Sequence, residues 1–203
     1  MKKILPLFLF CLMVFMSNAQ RFEGGILAGF NGTQVDGDFT HGYHKPGALL
    51  GAYVQTNLSR VVYAGMEIKY SQKGSRKNPD AKKEDQEKYI MRLGYMDVPF
   101  YLGFRTSEAI SFIAGLSAGY LMHSGEWDNF GKFQKEDERP FNEFDLQALL
   151  GTRFELTGRL RFDLRFAYSL VPIRDLPVVE LWYWRNNQFN NVISTSLYYR
   201  LGK

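Results

Sequence analysis

From Leu160 to Leu170 the chain alternates without a break. Leu160, Phe162, Leu164, Phe166, Tyr168 and Leu170 share one parity, and Arg161, Asp163, Arg165, Ala167 and Ser169 share the other. Successive side chains of a strand point to opposite faces, so this segment predicts a strand with one apolar face and one mostly charged face. Similar alternation recurs and predicts seven further strands: Phe22–Phe30, Gly47–Thr56, Val61–Gln72, Tyr89–Phe104, Ile110–Met122, Phe141–Leu156 and Val192–Leu201. No helix is available to cover so many apolar faces. A transmembrane β-barrel resolves this, with apolar residues turned to lipid and polar residues turned to a lumen. A soluble up-and-down barrel of lipocalin type would invert the pattern, with its apolar face inward.

The connections favour the membrane barrel. Long gaps fall at Asn31–Pro46, Gly74–Lys88, His123–Pro140 and Val171–Asn191, and short ones at Asn57–Arg60, Arg105–Ala109 and Thr157–Arg159. Long and short alternate strictly, as in outer-membrane barrels with short periplasmic turns and long outer loops. The expected fold is therefore all-β: an eight-stranded antiparallel up-and-down transmembrane β-barrel, with both termini on the periplasmic side. Pro99 lies inside the fourth strand and predicts a bulge or a locally lost hydrogen bond. The charged stretch Arg76–Lys88 reads as a solvated loop.

The start of the chain changes the picture of where the barrel works. Met1-Lys2-Lys3, the apolar run Ile4–Met16 and Ser17-Asn18-Ala19 read as a signal peptide of residues 1–19, leaving the barrel domain at 20–203. The apolar run is too short to span a membrane comfortably. Cys11 is the one cysteine and leaves with the signal. Phe10 precedes it, where a lipoprotein signal needs a small residue. The mature chain then has no disulfide or thiolate chemistry. Formal charge is +4, and it falls to +2 once Lys2 and Lys3 are removed. That excess argues for no nucleic-acid partner. No mature segment reaches the ~18 apolar residues of a membrane helix. Mean hydropathy is −0.26, and barrel strands, which offer lipid only every second residue, average out that way.

Three groups of residues carry a family resemblance. They are Gly29-Phe30-Asn31, then Tyr70-Ser71-Gln72-Lys73-Gly74 at the end of the third strand, and Tyr95-Met96-Asp97-Val98-Pro99 in the fourth. Together they resemble the PorT-like outer-membrane β-barrel proteins of Bacteroidetes. The resemblance implies a small barrel of OmpA/OmpX type without a known ligand. The member that names the family is implicated in protein secretion, and no residue here encodes that role. Two departures stand out. Asp97 sits where a Glu before an Ile-Pro pair is more familiar. The chain ends Tyr199, Arg200, Leu201, Gly202, Lys203 without the terminal Phe common in such barrels, leaving Tyr199 and Leu201 as substitutes in the signal to the barrel-assembly machinery.

On this register the lumen-facing acids are Glu23, Glu67, Asp97, Asp145, Glu155 and Asp163. The lumen-facing bases are Lys69, Arg105, Arg153, Arg161, Arg165 and Arg200. The two sets are equal in number. An eight-stranded interior is nearly filled by side chains, and a buried charge needs a partner, so they predict a paired plug rather than an open pore. His41 and His44 share the first long loop and His123 leaves the fifth strand on the same side. With no Cys and only scattered carboxylates nearby, no metal and no cofactor are expected. His123, Ser124 and Glu126 lie together, the residue types of a lipid-modifying hydrolase at the outer rim. Trp127, Trp182, Tyr183 and Trp184 form an aromatic cluster that reads as an interfacial girdle or a loop contact patch. Lys73, Arg76, Lys77, Lys82 and Lys83 read by default as a solvated loop, with contact to lipopolysaccharide phosphates as the functional alternative.

The expected protein is a monomeric, non-catalytic outer-membrane barrel. It would act structurally, as an adhesin, or as an accessory to envelope transport through its four outer loops, with lipid, lipopolysaccharide and a protein as partners. The two rival readings are a lipid A-modifying enzyme and a component of a secretion system.

Overall fold

A computed structural model of the chain describes residues 22–38, 40, 42–79, 86–133, 139–175 and 187–202. The signal segment, His41, Lys82, Lys83, Trp182, Tyr183 and Trp184 lie outside them. Eight long strands form the wall: β1 (Phe22–Asp36), β2 (Lys45–Asn57), β3 (Val62–Lys77), β4 (Tyr89–Arg105), β5 (Ile110–Asp128), β7 (Phe144–Glu155), β8 (Leu160–Ser169) and β10 (Asn187–Leu201). The two-residue arms β6 (Gly131–Lys132) and β9 (Arg174–Asp175) pair with β5 and β10. Each long strand runs antiparallel to the next, and β1 pairs β10 from Gly24↔Leu201 to Asp36↔Phe189. The sheet closes on itself, which leaves the wall without an edge.

The outward parity is apolar and stays exposed: Phe30 is 71 % exposed, Phe144 68 % and Leu50 63 %. The inward parity is buried and polar, with Arg153 and Asp163 fully inaccessible. Among the described residues no helix is long and apolar enough to cross a membrane.

The three short turns share one device. Ser59 Oγ accepts from the amides of Val61 and Val62, Ser107 Oγ from Ala109 and Ile110, and Thr157 Oγ1 from Arg159 and Leu160. A hydroxyl that bonds the backbone ahead of it replaces the ladder where the chain reverses.

At the other end four strands outrun the alternation. β1 continues to Asp36, β3 to Lys77 and β5 to Asp128, and β10 begins at Asn187. The long connections are shorter than the sequence pattern suggests, and residues 74–77 are strand rather than loop. Thr33 Oγ1 ties the extension together by donating to the carbonyls of Gly74 at 2.7 Å and Lys45 at 3.1 Å. Gly74 has φ +129°, and a Cβ there would lie 2.1 Å from the Met91 carbonyl oxygen. Met122 is an extra residue in β5: Gly94 pairs His123, but Tyr95 pairs Leu121. This bulge reverses the parity of β5 beyond it. Pro99 is not itself bulged. The β3–β4 ladder steps from Met66↔Phe100 to Lys69↔Asp97, while Pro99 keeps its place opposite Ser117 of β5. The missing amide costs pairing on one side only.

Candidate functional site

Alternation aims one side chain in two at the interior, and the register sets the height of each. At the short-turn end, Arg161 of β8 reaches Glu23 of β1 at 2.8 Å and Glu155 of β7 at 2.9 Å. Arg200 lies 3.5 Å from the same Glu23. Here the carboxylates remain partly open to solvent.

The centre of the barrel is closed. Arg153 of β7 grips Asp163 of β8 with both fork nitrogens, at 2.7 and 2.9 Å, and gives its third to Gln55 of β2 at 2.8 Å. Arg165 bridges Asp163 at 2.6 Å and Glu67 of β3 at 2.7 Å. Glu67 also holds Lys69 at 3.3 Å and accepts the Tyr198 hydroxyl at 2.9 Å. Both guanidiniums lie over tyrosines, Arg153 4.5 Å from the Tyr198 centroid and Arg165 4.7 Å from that of Tyr101. Room for these rings comes from glycine. Tyr63 pairs Gly103 and Gly65 pairs Tyr101 across β3 and β4, and each ring occupies the space a Cβ would take.

One level higher, Lys73 of β3 is buried against Asp97 at 3.0 Å, Asp145 at 3.4 Å and Gln147 at 3.0 Å. Ser169 and Asn190 donate to the same Asp145 at 2.7 and 2.8 Å. Above this node the interior turns apolar: Val35, Met91, Leu93, Tyr95 and Ile173 pack together, fully buried. Beyond that layer the Glu126 carboxylate is held by Arg174 and by the Tyr89 hydroxyl.

Two placements differ from the sequence expectation. Arg105 is not in the network. It sits at the short-turn rim, donating to the Arg60 carbonyl at 3.3 Å and to Asn57, with its guanidinium over Tyr63. Lys73 takes its place inside, because β3 continues its inward parity Glu67, Lys69, Ser71, Lys73 past the predicted strand end. With Lys73 in place of Arg105, six bases still face the six predicted acids, and Glu126 with Arg174 adds a further pair among the described residues. Parity puts Gln55, Gln147 and Ser169 on the inward face, although the set of charges leaves them out, and the sequence reading missed Asn190, Glu126 and Arg174 as interior residues.

His123, Ser124 and Glu126 do not converge. His123 points outward, stacked on Tyr70 with ring centroids 6.1 Å apart and its Nε2 3.4 Å from the Tyr70 hydroxyl, while Glu126 faces the interior. Among the described residues no three His, Cys, Asp or Glu side chains group as a metal site would require. Trp127 is part of the wall, its ring 4.9 Å from the Arg92 guanidinium and 5.9 Å from the Lys132 ammonium.

A closed antiparallel barrel, apolar outside and ion-paired within, is an outer-membrane β-barrel, and the protein resides in the outer membrane. Residues 17–175 match the outer membrane protein beta-barrel domain. The chain belongs to that family. Among solved structures it is similar to Ail, the attachment invasion locus protein of Yersinia pestis, at 14% identity and a TM-score of 0.55, over 88% of this chain and 98% of Ail. Ail in complex with the heparin analogue sucrose octasulfate matches at 14% identity and a TM-score of 0.53, over 89% and 99%. The Neisserial surface protein A, NspA, matches at 10% identity and a TM-score of 0.48, over 88% and 95%. At 14% identity the likeness to Ail is one of fold. No curated protein matches the sequence.

Proposed function

We propose that this barrel is a non-conducting, non-catalytic scaffold that works through the surface at its long-connection end. The observation that carries this reading is the stack of paired charge beneath an apolar layer. Arg153, Asp163, Arg165 and Glu67 fill the centre, Lys73 bridges Asp97 and Asp145 above them, and Met91, Leu93 and Ile173 lie over that. Small barrels of this strand number are filled by their own side chains, so the apolar band of the wall serves as an anchor. The long-connection end faces the cell exterior in this reading, by the general habit of outer-membrane barrels. Residues 1–19 are then a cleaved signal, and 20–203 a monomeric barrel delivered to the barrel-assembly machinery. The exposed end contacts lipopolysaccharide and a protein partner, in adhesion or as an accessory to envelope transport. The PorT-like motifs support placing the chain within that branch of the Bacteroidetes barrels.

Reconstitution into planar bilayers tests the central claim. The wild-type protein gives no discrete conductance steps. Regular ohmic steps from the folded, heat-modifiable protein would overturn the reading.

A further inference from the structure

Two arginines on the outer wall just beyond the apolar band meet a lysine that is rooted on the inward parity of β2 and buried beside them. Lys45 opens β2, Arg76 lies in the extension of β3, and Arg92 faces outward from β4. With Pro46, Gln72 and Ile90 they line one groove. Lys45 is only 5 % exposed, and its ammonium donates to the carbonyl of its neighbour Pro46 at 3.2 Å. The Arg76 and Arg92 guanidiniums act on it as like charges. Arg76 Nε donates to Asn78 Oδ1 at 2.7 Å, and Arg92 is braced by the Trp127 ring. Among the described residues none of the three is paired with a carboxylate. The contrast with the interior, where cations sit against acids, is what singles the groove out. Gathering like charges costs free energy that a bound anion would offset.

The height of the groove narrows the choice of anion. Below it the outward residues are Leu50 of β2, Ile68 and Tyr70 of β3, and Met96 and Val98 of β4, which face lipid. The groove therefore stands at headgroup level. Arginine forks match phosphate oxygens, and an adjacent lysine adds charge. We propose that Lys45, Arg76 and Arg92 bind a phosphate on the headgroup of a phosphorylated glycolipid in the surrounding leaflet. The assignment to a glycolipid rests on the outward orientation given above. Only Arg76 belongs to the basic loop stretch that the sequence pattern pointed to.

The test uses the full mature chain in detergent micelles, where both ends are accessible and orientation plays no part. Native mass spectrometry and thermal melting are read with three probes: lipid A bearing its phosphates, the same lipid A after phosphatase treatment, and inorganic phosphate. Intact lipid A is retained and raises the melting temperature, and the phosphatase-treated lipid binds at least tenfold more weakly. The double variant Arg76→Gln/Arg92→Gln loses at least tenfold in retention of intact lipid A while staying heat-modifiable. Lys45→Met loses a smaller part. Equal retention of the treated lipid, or undiminished binding by the folded double variant, would overturn the site. Binding of inorganic phosphate as tight as that of lipid A would overturn the headgroup assignment. Orientation is read separately by surface labelling, so either idea can fail alone.

Discussion

Asp163 holds two guanidiniums at once with no exposure to solvent. Removing its charge leaves Arg153 and Arg165 short of a partner in a closed interior, a change that typically costs about 3–5 kcal/mol. Arg161 differs, because its partners Glu23 and Glu155 have side chains 25% and 32% exposed. Water can take over there, and the loss is about 1 kcal/mol. We expect Asp163→Asn to lower the urea midpoint of the lipid-reconstituted protein far more than Arg161→Gln. Equal shifts would mean that solvent reaches the central layer as freely as the rim. The inward acids were readable from parity, because a two-residue period reports the face directly. Lys73 was not recognised, because a lysine followed by Gly-Ser-Arg-Lys looks like the start of a solvated loop. Only the pairing of β3 with a tall β4 reveals it as interior. Arg105 shows the opposite error: correct parity, but one residue too close to the turn to stay inside.

The strands within the lipid band were legible because lipid on one side and a packed lumen on the other enforce strict alternation. Above the band that constraint lapses. Outward Gln72 and Arg76 are polar, so the contrast between faces fades and the ends of β1, β3, β5 and β10 could not be seen. The Met122 bulge hides more, since it shifts Glu126 to the inward face against the running count. Gly74 makes the extension testable. With φ +129° and the Met91 carbonyl oxygen in the Cβ position, Gly74→Ala is strained in both backbone and contact. Peptide-resolved hydrogen exchange should quicken at least tenfold over residues 72–77 and 89–94, with 62–70 and 96–104 unchanged. Unaltered protection throughout would show that the extension does not depend on this glycine.

At the scale of the whole molecule the wall is uneven, tallest along β3, β4 and β5. The turn at Asn129 and Phe130 tops that tall side, and Gly158 marks the opposite end. An epitope inserted between Asn129 and Phe130 should be stained on intact cells, and one beside Gly158 only after permeabilisation. The reverse pattern would invert the orientation. Closure carries a further consequence, for assembly. The ties Arg161–Glu23, Arg165–Glu67 and Arg153–Gln55 each join the last third of the chain to the first. None can form while the first half stands alone as a curved sheet, and a sheet inserted before closing would hold Glu23 without its arginines, and Glu67 with Lys69 alone, against hydrocarbon. The last hairpin therefore brings the counter-charges as it zips β10 onto β1, which makes seam formation and charge neutralisation one cooperative event. A nascent chain lacking β8 should stall at the membrane surface instead of entering it.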